Sequence, residues 1–236
     1  MIGTFVLNDN PDFISIISNH LDFVIIDREH GSISFERVNI NLRFINNQCK
    51  KFIRVSSCDK IEIQRSLELD PDGILIPQIE TENDIKNAIS YTFYNPIGNR
   101  GISPYTRPFN FHHKHSDKKK FEINKKLKLC ILVEGKKILT NFEVTLNKYK
   151  KHIHMVYFGL YDFANSSNLK PDWNNNDLIL EIKKIIRICK KYKIKTGTIA
   201  RNKNEIKKLK KIKIDYIVYQ NDTGIIKEAF EDLSQR

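Results

Sequence analysis

Two periods alternate along this chain. Short apolar runs, rich in β-branched residues, are separated by longer stretches in which apolar side chains return every three or four positions. The short runs predict strands at Thr4–Leu7, Phe23–Asp27, Lys51–Val55, Gly73–Gln78, Leu129–Glu134, His154–Gly159, Thr196–Ala200 and Tyr216–Tyr219. Between them, stretches such as FISIISNHL, FERVNINLRFI, IEIQRSLEL, NDIKNAISYTF and LILEIKKIIRICKKY line one face of a helix. Eight strands alternating with about eight helices in 236 residues predict a single (β/α)8 TIM barrel spanning 1–236. An open doubly wound sheet is the competitor, but no GxGxxG or Walker-type turn is present. One segment, 95–124, breaks the rhythm and reads as a long irregular loop, a length that is uncommon unless the loop covers a site or reaches another subunit.

Composition narrows the class. No run of eighteen apolar residues occurs and the N-terminus lacks a signal-peptide pattern, so neither a membrane span nor secretion is expected. Cys49, Cys58, Cys130 and Cys189 have no Cys-x-x-Cys spacing and read as reduced thiols of a cytoplasmic protein. The net charge of +12 raises nucleic-acid binding. The lysines, however, are spread through a chain rich in Lys, Ile and Asn, whose codons are A/T-rich. Dense runs such as KKLKKIKI fall on expected helix surfaces, so the charge reads as solvated surface without a nucleic-acid partner.

Barrel enzymes carry their chemistry at the carboxyl ends of the strands. The second predicted strand ends in Asp27, Glu29 and His30, the third carries Arg54, the fourth ends in Pro77 and Gln78, the fifth on Glu134, and the sixth leads to Asp162. Glu134 and Asp162 are candidate metal ligands, because two carboxylates leave room for waters and substrate around Mg²⁺ or Mn²⁺. The plainer alternative is that each caps the following helix. His30 is the candidate general base, with Asp27 and Glu29 as carboxylates that fix its tautomer. Arg54, on an otherwise apolar strand, fits a substrate carboxylate. His112, His113 and His115 lie beside lysines and read as a solvated loop, and His152 and His154 fall at the stability face of a barrel.

These residues, in this order, resemble the HpcH/HpaI aldolase/citrate lyase family. GTFVLNDNPDFISII is similar to that family's opening strand and helix, and FVIIDREHG to its Asp-x-Glu-His-Gly signature. DGILIPQIET is similar to its fourth-strand motif, PIGNRGISPYTR to its Pro-x-Gly-x-Arg-Gly loop, FGLYDFANSSN to its Gly-x-x-Asp-Leu-Ser segment, and YQNDTGIIKEAF to its last strand and closing helix. The resemblance implies a TIM barrel that reversibly cleaves 4-hydroxy-2-oxo acids to pyruvate and an aldehyde, with a divalent metal, Mg²⁺ or Mn²⁺ ahead of Co²⁺ or Zn²⁺. It also implies a homo-oligomer, trimer or hexamer, with exchanged C-terminal helices. It assigns the metal to Glu134 and Asp162, the enolate-facing charge to Arg54 and the base to His30. The pyruvate carboxylate would sit on the backbone at Gly159, Leu160 and Tyr161, with Arg100 as a further substrate contact. Four positions depart from the family pattern: Leu132 stands where it carries Gln of Gln-x-Glu, Glu68 replaces an aspartate, Leu160 a proline and Ala164 a serine. Two alternatives stay open: a related lyase acting on a CoA thioester or phosphorylated enol acid, with Arg100 and Arg107 on the extra phosphate, or a diverged, non-catalytic binder of metal and 2-oxo acid.

Overall fold

The computed structural model describes residues 1–113 and 117–234. His115, singled out above, lies outside the described residues. Eight parallel strands form a closed barrel in sequence order: β1 (Ile2–Val6), β2 (Phe23–Asp27), β3 (Lys50–Arg54), β4 (Gly73–Ile76), β5 (Lys128–Val133), β6 (Met155–Phe158), β7 (Lys195–Ala200) and β8 (Tyr216–Asn221), with β8 pairing back onto β1. The helices are α1 (Pro11–Ser18), α2 (Phe35–Phe44), α3 (Lys60–Leu67), α4 (Glu82–Thr92), α5 (Asp117–Lys126), α6 (Phe142–Tyr149), α7 (Leu160–Ser166), α8 (Asn176–Lys191), α9 (Lys203–Lys211) and α10 (Asp222–Ser234).

Local sequence explains where the elements begin. Asn10, Ser34, Asp59, Thr81, Asn175 and Asn202 each accept backbone N–H bonds at the start of the next helix, and Thr81 with Asp84 completes a capping box. β4 stops at Ile76, short of the expected Gln78, because Pro77 has no N–H to continue the ladder and Gln78 takes a positive φ of 57°. The irregular stretch at 95–124 is shorter than expected, since α5 occupies its end. That helix escaped the periodicity reading because DKKKFEINKK is polar on nearly every face and buries only Asn124. Two residues ahead of it meet the outer helices: Arg107 donates to Asn39 of α2 at 2.7 Å, and Gly101 packs against Gln64 of α3.

Alternation along each strand separates two cores. Outward residues such as Ile53, Ile74, Ile131 and Val156 pack under the helices, while Phe5, Phe23, Phe52, Leu75, Leu132, Tyr157 and Tyr216 fill the barrel. At the amino end, Phe23, Phe52 and Tyr216 meet edge to face with centroids 5.2–6.1 Å apart and plug the bore. A Cβ at Gly73 would lie 2.6 Å from the Phe52 ring, so the glycine makes room for the plug. His154 belongs to this end: its Nε2 lies 3.1 Å from the Tyr216 hydroxyl, and burial together with Lys128, Lys50 and Lys195 pushes its pKa down to about 4. Among the described residues no helix is long and apolar enough to cross a membrane.

Candidate active site

The aromatic plug leaves the barrel open at its carboxyl end. A cavity of about 190 Å³ there is lined by Phe5, Asp27, His30, Arg54, Leu132, Glu134, Tyr157, Gly159, Leu160, Tyr161 and Asp162, among others. The expected candidates from four strand ends therefore meet at one mouth, although they lie up to 135 positions apart in sequence, from Asp27 to Asp162.

Arg54 is the centre of the charge network. It is the last residue of β3 and the register partner of Asp27 on β2. Its Nε and Nη2 donate to the two Asp27 oxygens at 2.9 and 2.6 Å, a two-pronged contact, while Nη1 lies 2.9 Å from Glu29 Oε2. The guanidinium rests on the Phe5 ring, 4.4 Å from its centroid. Only 8% of Arg54 is exposed. Burial opposes its charge, but the hydrogen bonds and charge of Asp27, with Glu29 behind, outweigh it and raise its pKa.

Asp27, 1% exposed, is fully engaged. Besides Arg54 it accepts the backbone N–H groups of Glu29 and His30, so it holds the arginine and the turn rather than the His30 ring. His30 projects outward with 66% of its side chain exposed, and its Nε2 stands 3.9 Å from Glu29 Oε2. Glu29 is thus the carboxylate nearer the imidazole. Arg28, between the inward residues, points the other way. It donates to Glu62 at 2.9 Å and to the Ile33 carbonyl at 3.0 Å, and it covers one Phe35 ring together with Arg65, at 3.5 and 4.1 Å from the centroid.

Glu134 follows β5, and its Oε2 accepts the Gln78 N–H at 2.8 Å. Burial, aided by the negative charges of Glu29 and Asp162, raises its pKa to about 7, against the Gln78 bond and Arg54. Glu29 is raised as well, chiefly by burial. Carboxylates crowded until one resists ionising form a donor set that a hard divalent cation would relieve. Asp162 lies in the first turn of α7, after Gly159 at the helix N-cap, and both line the mouth. Among the described residues no three His, Cys, Asp or Glu side chains converge into a ready metal cage. Two carboxylates with open positions are thus the donor set available, and they fit a cation that keeps water and substrate in its shell.

Arg100 does not join the mouth. It is 5% exposed and stacks on Tyr94 at 4.5 Å beside the loop before β4, and burial lowers its pKa although Tyr94, Glu68 and Asp70 oppose this. The expectation that Arg100 contacts substrate at this mouth is therefore not met, and Arg107, turned to α2, is no nearer. The sequence reading also passed over Tyr157, whose ring reaches the cavity from within β6. The signal was there in MVYF, where period-two alternation turns Met155 and Tyr157 inward.

Fold and mouth together define a (β/α)8 barrel with a charged pocket at the end where such barrels hold their active sites. The HpcH/HpaI aldolase/citrate lyase family profile matches residues 1–213, and the chain belongs to that family. A 4-hydroxy-2-oxovalerate aldolase of Novosphingobium aromaticivorans is 27% identical over 104 residues, covering 43% of this chain and 40% of that protein. A 2-keto-3-deoxy-L-rhamnonate aldolase of Salmonella gallinarum is 26% identical over 170 residues, covering 71% of this chain and 61% of that protein. The matched segments thus span under two thirds of either relative. An HpcH/HpaI aldolase/citrate lyase family protein from Burkholderia cenocepacia superposes with a TM-score of 0.90 at 18% identity, covering 100% of this chain and 93% of that one. The citrate synthase SbnG gives 0.84 at 17%, covering 99% and 91%. At such identities the structural likeness speaks to the fold.

Proposed function

We propose that this protein is a divalent-metal-dependent carbon–carbon lyase that reversibly cleaves a 4-hydroxy-2-oxo acid to pyruvate, or a close 2-oxo acid, and an aldehyde. The observation that carries the reading is the single mouth where Arg54, held by Asp27 and Glu29, faces the carboxylates Glu134 and Asp162. The aldolases named among the relatives support the substrate class.

Glu134 and Asp162 would hold the metal, Mg²⁺ or Mn²⁺ by their oxygen donors, and when bound it supplies Lewis-acid polarisation of the 2-oxo group. The Gly159 N–H already donates to the Val133 carbonyl at 3.0 Å, so the backbone amides of Leu160 and Tyr161, in the first turn of α7, orient the carboxylate of the substrate. Arg54 places fixed positive charge where the C3–C4 bond electrons collect on the enolate oxygen, and needs no rearrangement to do so. His30, exposed at the rim, takes the 4-hydroxyl proton directly or through water and returns it in the synthetic direction. The reading also includes a homo-oligomer, for which exposed Phe230 and Leu233 on α10 offer apolar surface.

The test is pyruvate release from a panel of short 4-hydroxy-2-oxo acids with Mg²⁺ or Mn²⁺ and after chelation. Metal-dependent release, reduced at least about 100-fold in Glu134→Ala, is expected. Equal behaviour of wild type and Glu134→Ala across the panel would sink the assignment.

A further inference from the structure

Among the described residues lining the cavity, one buried side-chain polar atom has no hydrogen-bond partner in the protein. Tyr157 is 3% exposed, and its Oη is buried without a hydrogen bond. The ring itself is well fixed. It stands edge-on to Phe5, with centroids 5.9 Å apart and planes at 69°, and Phe5 in turn carries Arg54. Its register partner across β5 is Leu132, which brings only methyl groups to the same cavity. Asp27, the acceptor charge nearby, is already taken by two guanidinium and two backbone donors.

A buried hydroxyl left unpaired is destabilising, whereas phenylalanine would fill the same space without that cost. A tyrosine kept there makes sense if the missing partner arrives with a ligand. Burial drives its pKa far upward, with Asp27 and Tyr161 acting in the same direction and Arg54 against, so the group stays a phenol and serves as a donor. What it can serve is an oxygen acceptor entering beside Arg54.

Building on the lyase reading above, we propose that Tyr157 is a ligand-contact residue, whose hydroxyl donates a hydrogen bond to the oxygen of a planar 2-oxo carboxylate that also faces Arg54. The two donors form a cradle, one charged and one neutral, and the neutral one comes from a strand whose neighbour, at Leu132, carries no polar group. The bond strengthens as negative charge gathers on that oxygen, so its effect is greater on the enolate than on the ketone.

Oxalate, a planar dianion shaped like the enolate of pyruvate, is the probe. Isothermal titration of Mn²⁺-loaded wild type and Tyr157→Phe is paired with thermal melts of both without oxalate. The variant is expected to melt at or above the wild-type temperature and to bind oxalate about 10-fold more weakly. Equal affinity in the two proteins overturns the role of Tyr157 and leaves the lyase reading standing. A wild type that binds neither oxalate nor pyruvate overturns both. Independently of any variant, a crystal structure of wild type with oxalate should place Oη about 3 Å from a ligand oxygen. A hydroxyl standing clear of the ligand there rejects the proposal whatever the affinities.

Discussion

Arg54 keeps its charge in a nearly dry place because two carboxylates share it. Breaking such a pair by removing one partner leaves the other buried and uncompensated, which typically costs about 3–5 kcal/mol. Asp27→Asn retains one acceptor, so a loss near the lower end, about 3 kcal/mol, is expected in urea unfolding. The same change frees the guanidinium to rotate on Phe5, and misplacement by about 1 Å is enough to lower turnover on the order of 100-fold. Pyruvate release measured beside urea unfolding checks both. A variant as stable and as active as wild type would mean that Arg54 holds its position unaided. At this scale the sequence named most of the site. Asp27, Glu29, His30, Arg54, Glu134 and Asp162 all reach one mouth, because each closes a strand or follows one and the barrel turns every strand end the same way. It missed the division of labour: nothing in DREH reveals that Asp27 serves the arginine at the end of the next strand, 27 positions further on.

Elements fix what single residues cannot. Gly159 joins β6 to α7, and a Cβ there would stand 2.9 Å from Glu134 Cγ and 3.4 Å from Leu132. The glycine is therefore the space into which Glu134, the proposed metal ligand, leans. Gly159→Ala should leave the fold intact, within a few degrees of the wild-type melting temperature, and weaken Mn²⁺ binding about 10-fold by displacing Glu134. Titration with Mn²⁺ reads this directly, and unchanged affinity would show that Glu134 accommodates the methyl group. Strands were legible because apolar runs bounded by polar turns admit few alternatives. The segment at 95–124 was not, because α5 gains little from burial and Arg107 and Gly101 meet distant partners, Asn39 and Gln64, that periodicity cannot see. Arg100 was misplaced for the same reason, since its position depends on how that loop folds against Tyr94.

For the whole molecule, the two ends of the barrel divide stability from chemistry. His154 sits at the plugged end and is held neutral by burial and three lysines. The unfolded chain takes up its proton near the ordinary value of 6.5, the folded one only near 4. Between these values unfolding absorbs a proton, so stability from this group is complete above about pH 6.5 and falls away as pH drops toward 4. His154→Gln should flatten that part of the stability curve without shifting the pH dependence of oxalate binding at the far mouth. Urea midpoints across this range check it, and an unchanged slope would assign the acid sensitivity elsewhere.

The outward turn of Arg28 has a kinetic corollary. Its bonds to Glu62 and Ile33, and the Phe35 ring that it shares with Arg65, moor the back of the segment whose front carries Glu29 and His30. The amides of those two residues are tied to Asp27 as well. A strip fastened on both sides makes a poor door. Passage of small molecules past it would then be governed by diffusion through a standing aperture, and the delay between successive turnovers would not include the swing of this loop.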